Sequence, residues 1–232
     1  MTEFIAPPCA EQISILYQDE HLLLINKPSG LLSLSGKNPL NKDSVHYRLV
    51  QDFPSATLVH RLDFGTSGIM LVALNKSING LLTKQFQDKT IDKTYHATLH
   101  GHVSSALAQY GEINAAIAKD TENFPYMKIC PDSGKQAKSE FEVLERTMLT
   151  IVDSASTQQI PITKVKFTPI TGRTHQLRIH SQYIRHPILG CDLYCNSESH
   201  ALASRLLLHA SYLSFIHPVT KQLMNIECEV PF

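Results

Sequence analysis

Apolar and polar positions along this 232-residue chain change period several times, and each change marks an element. Ile13 to Tyr17 and Leu22 to Asn26 are apolar-rich runs joined by Gln18-Asp19-Glu20-His21, which predicts a hairpin. Ile69-Met70-Leu71-Val72-Ala73-Leu74 has no polar position. Opened by Thr66-Ser67-Gly68 and closed by Asn75-Lys76-Ser77, it predicts a strand buried on both faces. Asp43 is placed to cap a short helix with Val45 and Leu49 inward, and Ser77 a second with Ile78, Leu81, Leu82, Gln85 and Phe86 on one side. Lys93 to Gly101 alternates, with Tyr95, Ala97 and Leu99 sharing the apolar face of a half-buried strand. Ala118 to Gln136 has little periodicity and carries Pro125, Pro131 and Gly134, so it predicts an extended surface loop. Alternation resumes over Lys138 to Glu145 and, after a polar break from Asp153 to Gln159, over Lys164 to Thr168. Thr174 is placed to cap a helix with Leu177, Ser181 and Ile184 together, and closing strands follow around Leu206 to Ala210, Leu213 to Ile216 and Ile226 to Val230.

With 43% hydrophobic and 18% charged residues, this is an ordinary globular composition, long enough for one substantial core. There is no internal repeat, and neither polar break is long enough for a linker, so residues 1–232 are expected to form one domain. Lys plus Arg and Asp plus Glu are both 21, and the formal net charge of zero argues against a generic polyanion binder. Yet Ser154 to Cys191 contains Lys164, Lys166, Arg173, Arg178 and Arg185 and no acidic residue, the pattern of a local basic face. The N-terminus lacks the pattern of a signal peptide, and no stretch approaches membrane-span length. Five cysteines without a Cys-x-x-Cys pair fit a reduced, cytoplasmic protein. Among twelve histidines, His175, His180 and His186 are the nearest cluster. A five-residue spacing turns side chains about 140° apart on a helix and to opposite faces of a strand, so no metal site is expected.

The chemistry concentrates in His60-Arg61-Leu62-Asp63-Phe64-Gly65-Thr66-Ser67-Gly68, where a carboxylate sits on a loop joined directly to the most rigid strand. From the residues alone Asp63 reads as a turn or capping residue. The stretch resembles the second motif of the RluA family of pseudouridine synthases, His-Arg-Leu-Asp-x-x-Thr-Ser-Gly, in which the aspartate is catalytic. Asn26-Lys27-Pro28-Ser29-Gly30 resembles the family's first motif, although Pro and Gly alone would shape such a turn, with Lys27 merely solvating it. Arg173-Thr174-His175-Gln176-Leu177-Arg178-Ile179-His180 resembles the third, and Lys93-Thr94-Tyr95, His186-Pro187-Ile188-Leu189-Gly190 and Leu208-His209-Ala210 match further signatures. Two positions depart: Arg185 stands where glycine is common, and Cys191 precedes Asp192 where the aspartate usually follows at once.

What the resemblance implies is an α+β fold, a bent, mainly antiparallel mixed sheet with flanking helices and a cleft with Asp63 at its floor. The first hairpin begins near residue 13, leaving no room for the N-terminal S4-type domain of many members, and the Lys42-Asp43-Ser44-Val45 stretch points to the compact branch that modifies the tRNA anticodon stem-loop and a large-subunit rRNA hairpin. Asp63 would then be the catalytic carboxylate and Arg173 its partner, since a nearby arginine favours the ionised form. Tyr95 and Leu208 would sandwich the extruded base, Arg61 would fill the space it leaves, and His60, Lys27, Arg178 and Ile179 would serve RNA binding. The isomerisation demands no cofactor, and the partner is RNA, with neither DNA nor a membrane, acted on by a monomer. Rival readings are the same chemistry on another tRNA or rRNA site, an Asp63-dependent nucleoside or glycoside hydrolase, for which neither motif offers the usual second carboxylate, and an inactive RNA-binding module.

Overall fold

The computed structural model describes residues 4–103, 109–152 and 157–232. In chain order these form β1 (Ser14–Gln18), β2 (Leu22–Lys27), α1 (Val45–Asp52), β3 (Thr57–Leu58), β4 (Ser67–Ala73), α2 (Lys76–Gln87), β5 (Asp92–His100) and β6 (Tyr110–Asn114). There follow β7 (Ile117–Lys119), β8 (Met127–Ile129), β9 (Lys138–Val152), β10 (Thr157–Pro169), α3 (Gln176–Tyr183), α4 (Ser197–Ala201), β11 (Leu208–Ile216) and β12 (Leu223–Glu227). The architecture is α+β, its strand pairs mostly antiparallel. Contacts divide the chain into two compact units, residues up to Lys93 with His209–Phe232, and Thr94–Leu208.

In the first unit β4 is the central strand, with β2 antiparallel on one side and β11 parallel on the other. All seven residues of β4 are buried, as an unbroken apolar run requires. On one face Ile69, Leu71 and Ala73 join Leu22, Leu24, Leu213, Phe215 and the inward side of α2, Ile78 and Leu82. Gly68 opens the strand at φ +111°, and a Cβ there would lie 2.2 Å from the carbonyl oxygen of Ala210. Only glycine permits that approach of β4 to β11.

The second unit is the antiparallel sheet β5-β10-β9-β6, with β7 and β8 as a separate hairpin. Its core combines Ala97, Leu99, Phe141, Val143, Val165 and Phe167 from the sheet with Leu177 and Ile179 of α3.

Several local expectations are corrected. Residues 117–129 are not a loop but the β7–β8 hairpin, whose three-residue strands are too short to show a period. β9 and β10 run past the alternating stretches, pairing from Thr157 with Val152 to Pro169 with Ser139. Beyond Glu145 the β9 side chains are exposed or half-exposed, the apolar Met148, Leu149, Ile151 and Val152 included, and the backbone ladder carries the strand on. The break expected at 153–159 is strand from Thr157 onward, and its residues 153–156 lie outside the described ones. Caps shift by one or two residues: Ser44 caps α1 and Asn75 caps α2, through side-chain bonds to Tyr47 N and Ile78 N. Thr174 does not cap α3. His175 takes that position at φ +56°, and the Gln176 side chain reaches back to accept from Arg173 N at 3.0 Å.

Candidate active site

In the first unit, the loop between β3 and β4 carries Asp63 and is gripped from both sides by the segment after β2. Lys27 Nζ donates to the carbonyls of Pro28 (2.8 Å), Leu31 (2.7 Å) and Phe64 (3.1 Å). Ser29 Oγ donates to Gly65 O at 2.7 Å, and Gly30 N to Phe64 O at 2.9 Å. Ser33 Oγ donates to Leu62 O at 2.7 Å and accepts from Leu62 N at 3.2 Å. The residues immediately before and after Asp63 are therefore both fixed. Its own carbonyl accepts from Thr66 N at 3.1 Å, closing the turn into β4. Asp63 is half-buried on this frame and Arg61 is exposed. Such pre-organisation holds a reactive group in place at no cost when the reaction occurs.

Lys27 corrects its sequence reading. It is fully buried, not solvating a turn, and its ammonium is turned inward onto carbonyls. His60 is likewise structural in its bonding: its Nε2 accepts from Leu71 N at 3.0 Å, and its ring lies 4.7 Å from that of Phe86. Burial, with the charge of Lys93 nearby, pushes the imidazole pKa down to about 3, so it stays neutral as that acceptor bond requires. Ser67 Oγ and His209 Nδ1 share a 2.8 Å bond where β4 pairs with β11.

In the second unit the third motif divides by role. Arg173 is exposed, its Nε donating to Gln136 O at 2.9 Å. Behind it Gln176 is saturated, accepting from Thr171 Oγ1 (2.6 Å) and Arg173 N, and donating to Lys138 O and Ser139 Oγ, both at 2.9 Å. Ser139 Oγ passes the chain to His180 Nδ1 at 2.9 Å, and His180 Nε2 donates to Ala115 O at 3.0 Å. Burial holds the His180 pKa below its ordinary value, which keeps this tautomer neutral. His175 Nδ1 bonds Tyr194 Oη at 2.8 Å, and that oxygen accepts from Met127 N. The histidines thus serve internal networks.

Arg178 is buried. It pairs with Asp192, donates to Cys191 Sγ at 3.4 Å and lies over the Tyr194 ring. The side chain lies inside the protein, where it braces the loop that carries Cys191. That loop absorbs the departure from the family pattern: the Cys191 thiol accepts from Arg178 and from Tyr194 N (3.4 Å), while Asp192 takes the ion pair. Arg185, at φ +65°, occupies a left-handed position, the physical reason glycine is common there. Ile179 and Leu208 are buried in one apolar cluster, and Tyr95 packs against it half-exposed. Ser29, Ser33 and Gln176 were not singled out from sequence. Each lay inside or beside a recognised motif, but nothing in its residue type announces a backbone carbonyl as partner.

Comparison with known proteins gives one answer. The model of the family described as RNA pseudouridylate synthase matches residues 21–183. The dual-specificity RNA pseudouridine synthase RluA of Yersinia pestis is 44% identical over 218 residues, 94% of this chain and 99% of that protein. RluA of Escherichia coli K12 is 41% identical over 226 residues, 97% of each. Among solved structures, human RNA Pseudouridylate Synthase Domain Containing 1 is similar with a TM-score of 0.77 at 30% identity, over 97% of this chain and 86% of that one.

Proposed function

This chain belongs to the RNA pseudouridylate synthase family, and from that premise we propose that it uses Asp63 to isomerise uridines of both tRNA, in the anticodon stem-loop, and a large-subunit ribosomal RNA hairpin. The reaction breaks the N-glycosidic bond, turns the uracil and joins its C5 to C1′ of the same sugar. It is redox-neutral and takes no group from outside, so it demands no cofactor. Asp63 acts at the sugar, as nucleophile or as counter-charge to a cationic sugar, and Arg173 keeps it ionised. The target nucleotide is flipped out at a cost of a few kcal/mol, and Arg61 fills its place. Tyr95 and Leu208 hold the base between them, Ile179 backs that wall, and stacking on the ring contributes about 1–3 kcal/mol. Lys27, His60 and Arg178 serve RNA binding indirectly, by fixing the loops that meet it. The enzyme acts as a monomer in the cytoplasm, with RNA and neither DNA nor a membrane as its partner; no helix among the described residues is long and apolar enough to cross a membrane.

The observation that carries the assignment of Asp63 is its frame: the carbonyls of Leu62, Phe64 and Gly65 around it are all held by Lys27, Ser29, Gly30 and Ser33. The test is tritium release from RNA labelled at C5 of uridine, with unmodified bulk tRNA and ribosomal RNA assayed separately. Wild type should release tritium from both and Asp63→Asn from neither. Release by the variant at the wild-type rate refutes the assignment, and release from one RNA only refutes dual use.

A further inference from the structure

Residues 4–11 cross the first unit beside the Asp63 loop and are tied down by two side chains the mechanism does not use. Asn41 donates from Nδ2 to Phe4 O and accepts at Oδ1 from Ala6 N, both at 2.7 Å. Asn41 is itself buried in a 3-10 turn, Pro39–Asn41, with its carbonyl accepting from Gly36 N at 2.9 Å. Arg48 on α1 donates to the carbonyls of Cys9 and Glu11, both at 2.6 Å, while its Nε and Nη2 grip the two carboxylate oxygens of Asp43 at 2.7 Å. Between these anchors stand Pro7 and Pro8, whose fixed φ keeps the span stiff. The Lys42-Asp43-Ser44-Val45 stretch thereby acquires a purpose: Ser44 caps the helix that carries Arg48, and Asp43 orients its guanidinium.

What the anchored segment bears on is Phe64, the residue after Asp63. The Phe4 ring meets the Phe64 ring edge-on, centroids 5.5 Å apart and planes at 76°. The carbonyl of Phe64 is already held by Lys27 and Gly30, so Phe4 completes its restraint by fixing the side chain. Phe4 is 54% exposed, which makes core burial a poor account of its position. A cleft of about 290 Å³, lined by Pro7, Pro8, Glu11, Ser29, Gly30 and Phe64, gives the loop room to move once that contact is lost.

We propose that residues 4–11 form a positioning strap for Asp63, with Phe4 bearing on the loop and Asn41 and Arg48 holding the strap. The inference rests on Asp63 being the catalytic carboxylate. It is tested in the full chain by single-turnover tritium release from C5-labelled tRNA, with RNA affinity by filter binding and thermal melts alongside. A misplacement of about 1 Å can cost up to ~100-fold in rate, so Phe4→Ala is expected to slow release by about tenfold, with affinity within about twofold and melting temperature within about 2 °C of wild type. Phe4→Tyr keeps the ring and should restore the rate, and Asn41→Ala should slow release at least as much as Phe4→Ala. An unchanged rate in Phe4→Ala overturns the strap, as does a loss of affinity matching the loss of rate, which would make the segment an RNA contact. Asp63→Asn separates the two readings. Release by that variant at the wild-type rate overturns the catalytic assignment and the strap with it, whereas an inactive Asp63→Asn beside a normal Phe4→Ala overturns the strap alone.

Discussion

Lys27→Met separates a loop-holding lysine from an RNA-binding one. Methionine keeps the length and apolar character of the stem and removes only the ammonium. Phe64 O retains its bond from Gly30 N, but Pro28 O and Leu31 O lose the donor that lies 2.8 and 2.7 Å away. Hydrogen bonds to charged groups contribute about 1.5–3 kcal/mol each by mutation, a figure that already includes desolvating the ammonium, so two lost bonds amount to about 3 kcal/mol or more. At roughly 2–4 °C per kcal/mol for a chain of this size, the melting temperature should fall by about 6–12 °C. Urea melts give the free energy directly. Single-turnover tritium release, at a temperature where both proteins are folded, should fall by more than RNA affinity does, because the third contact of Lys27 is Phe64, next to Asp63. A variant within about 1 kcal/mol of wild type in stability, binding RNA tenfold more weakly, would refute the reasoning and return the ammonium to the RNA.

Arg185→Gly relieves the left-handed backbone at φ +65°. The strain of about 1–2 kcal/mol exceeds the added flexibility of glycine, about 0.5–1, so thermal melts should rise by about 2 °C, while Arg185→Ala should show no gain. His180 and His60 are both held below the ordinary histidine pKa of 6.5, so the unfolded chain takes up their protons first. Their contribution is complete above pH 6.5 and is lost as pH falls below it, by up to about 1.4 kcal/mol per pH unit for each; urea midpoints from pH 7.5 to 5.5 should show this decline, and His180→Asn should make it shallower.

Some of this was legible in the sequence for reasons that can be named. The run Ile69–Leu74 could only be a strand covered on both faces, and the glycine that opens it marks a close backbone approach. The Asp63 motif places a carboxylate at the foot of that strand, on a loop whose backbone is hydrogen-bonded on both sides of it. What was not legible depends on partners distant in the chain or generic in kind. Lys27 looks like a solvated lysine because its acceptors are carbonyls, which every residue has. The bonds from Asn41 to Phe4 and Ala6 span 37 and 35 residues. Caps were misplaced where two suitable residues stand together, Asp43 with Ser44 and Asn75 near Ser77, since backbone geometry chooses between them and propensity does not.

The basic segment from Ser154 to Cys191 shows the same effect in its charges. Along the chain its lysines and arginines have no acidic neighbour, yet on the sheet they do. Antiparallel pairing sets Lys164 opposite Glu145 and Lys166 opposite Glu142, and both pairs form ion pairs; Arg178 is matched by Asp192. Acids of β9 therefore cancel much of the field that the lysines of β10 would otherwise project, and the cation buried in the third motif is spent inside the protein. Arg173 and Arg185 remain exposed. Non-specific attraction to a polyanion scales with the phosphates a protein can neutralise, so an enzyme built this way gains little from charge alone. Recognition of an RNA loop by its folded shape and by bases splayed out of it does not depend on net positive charge, and a protein of zero net charge can perform it.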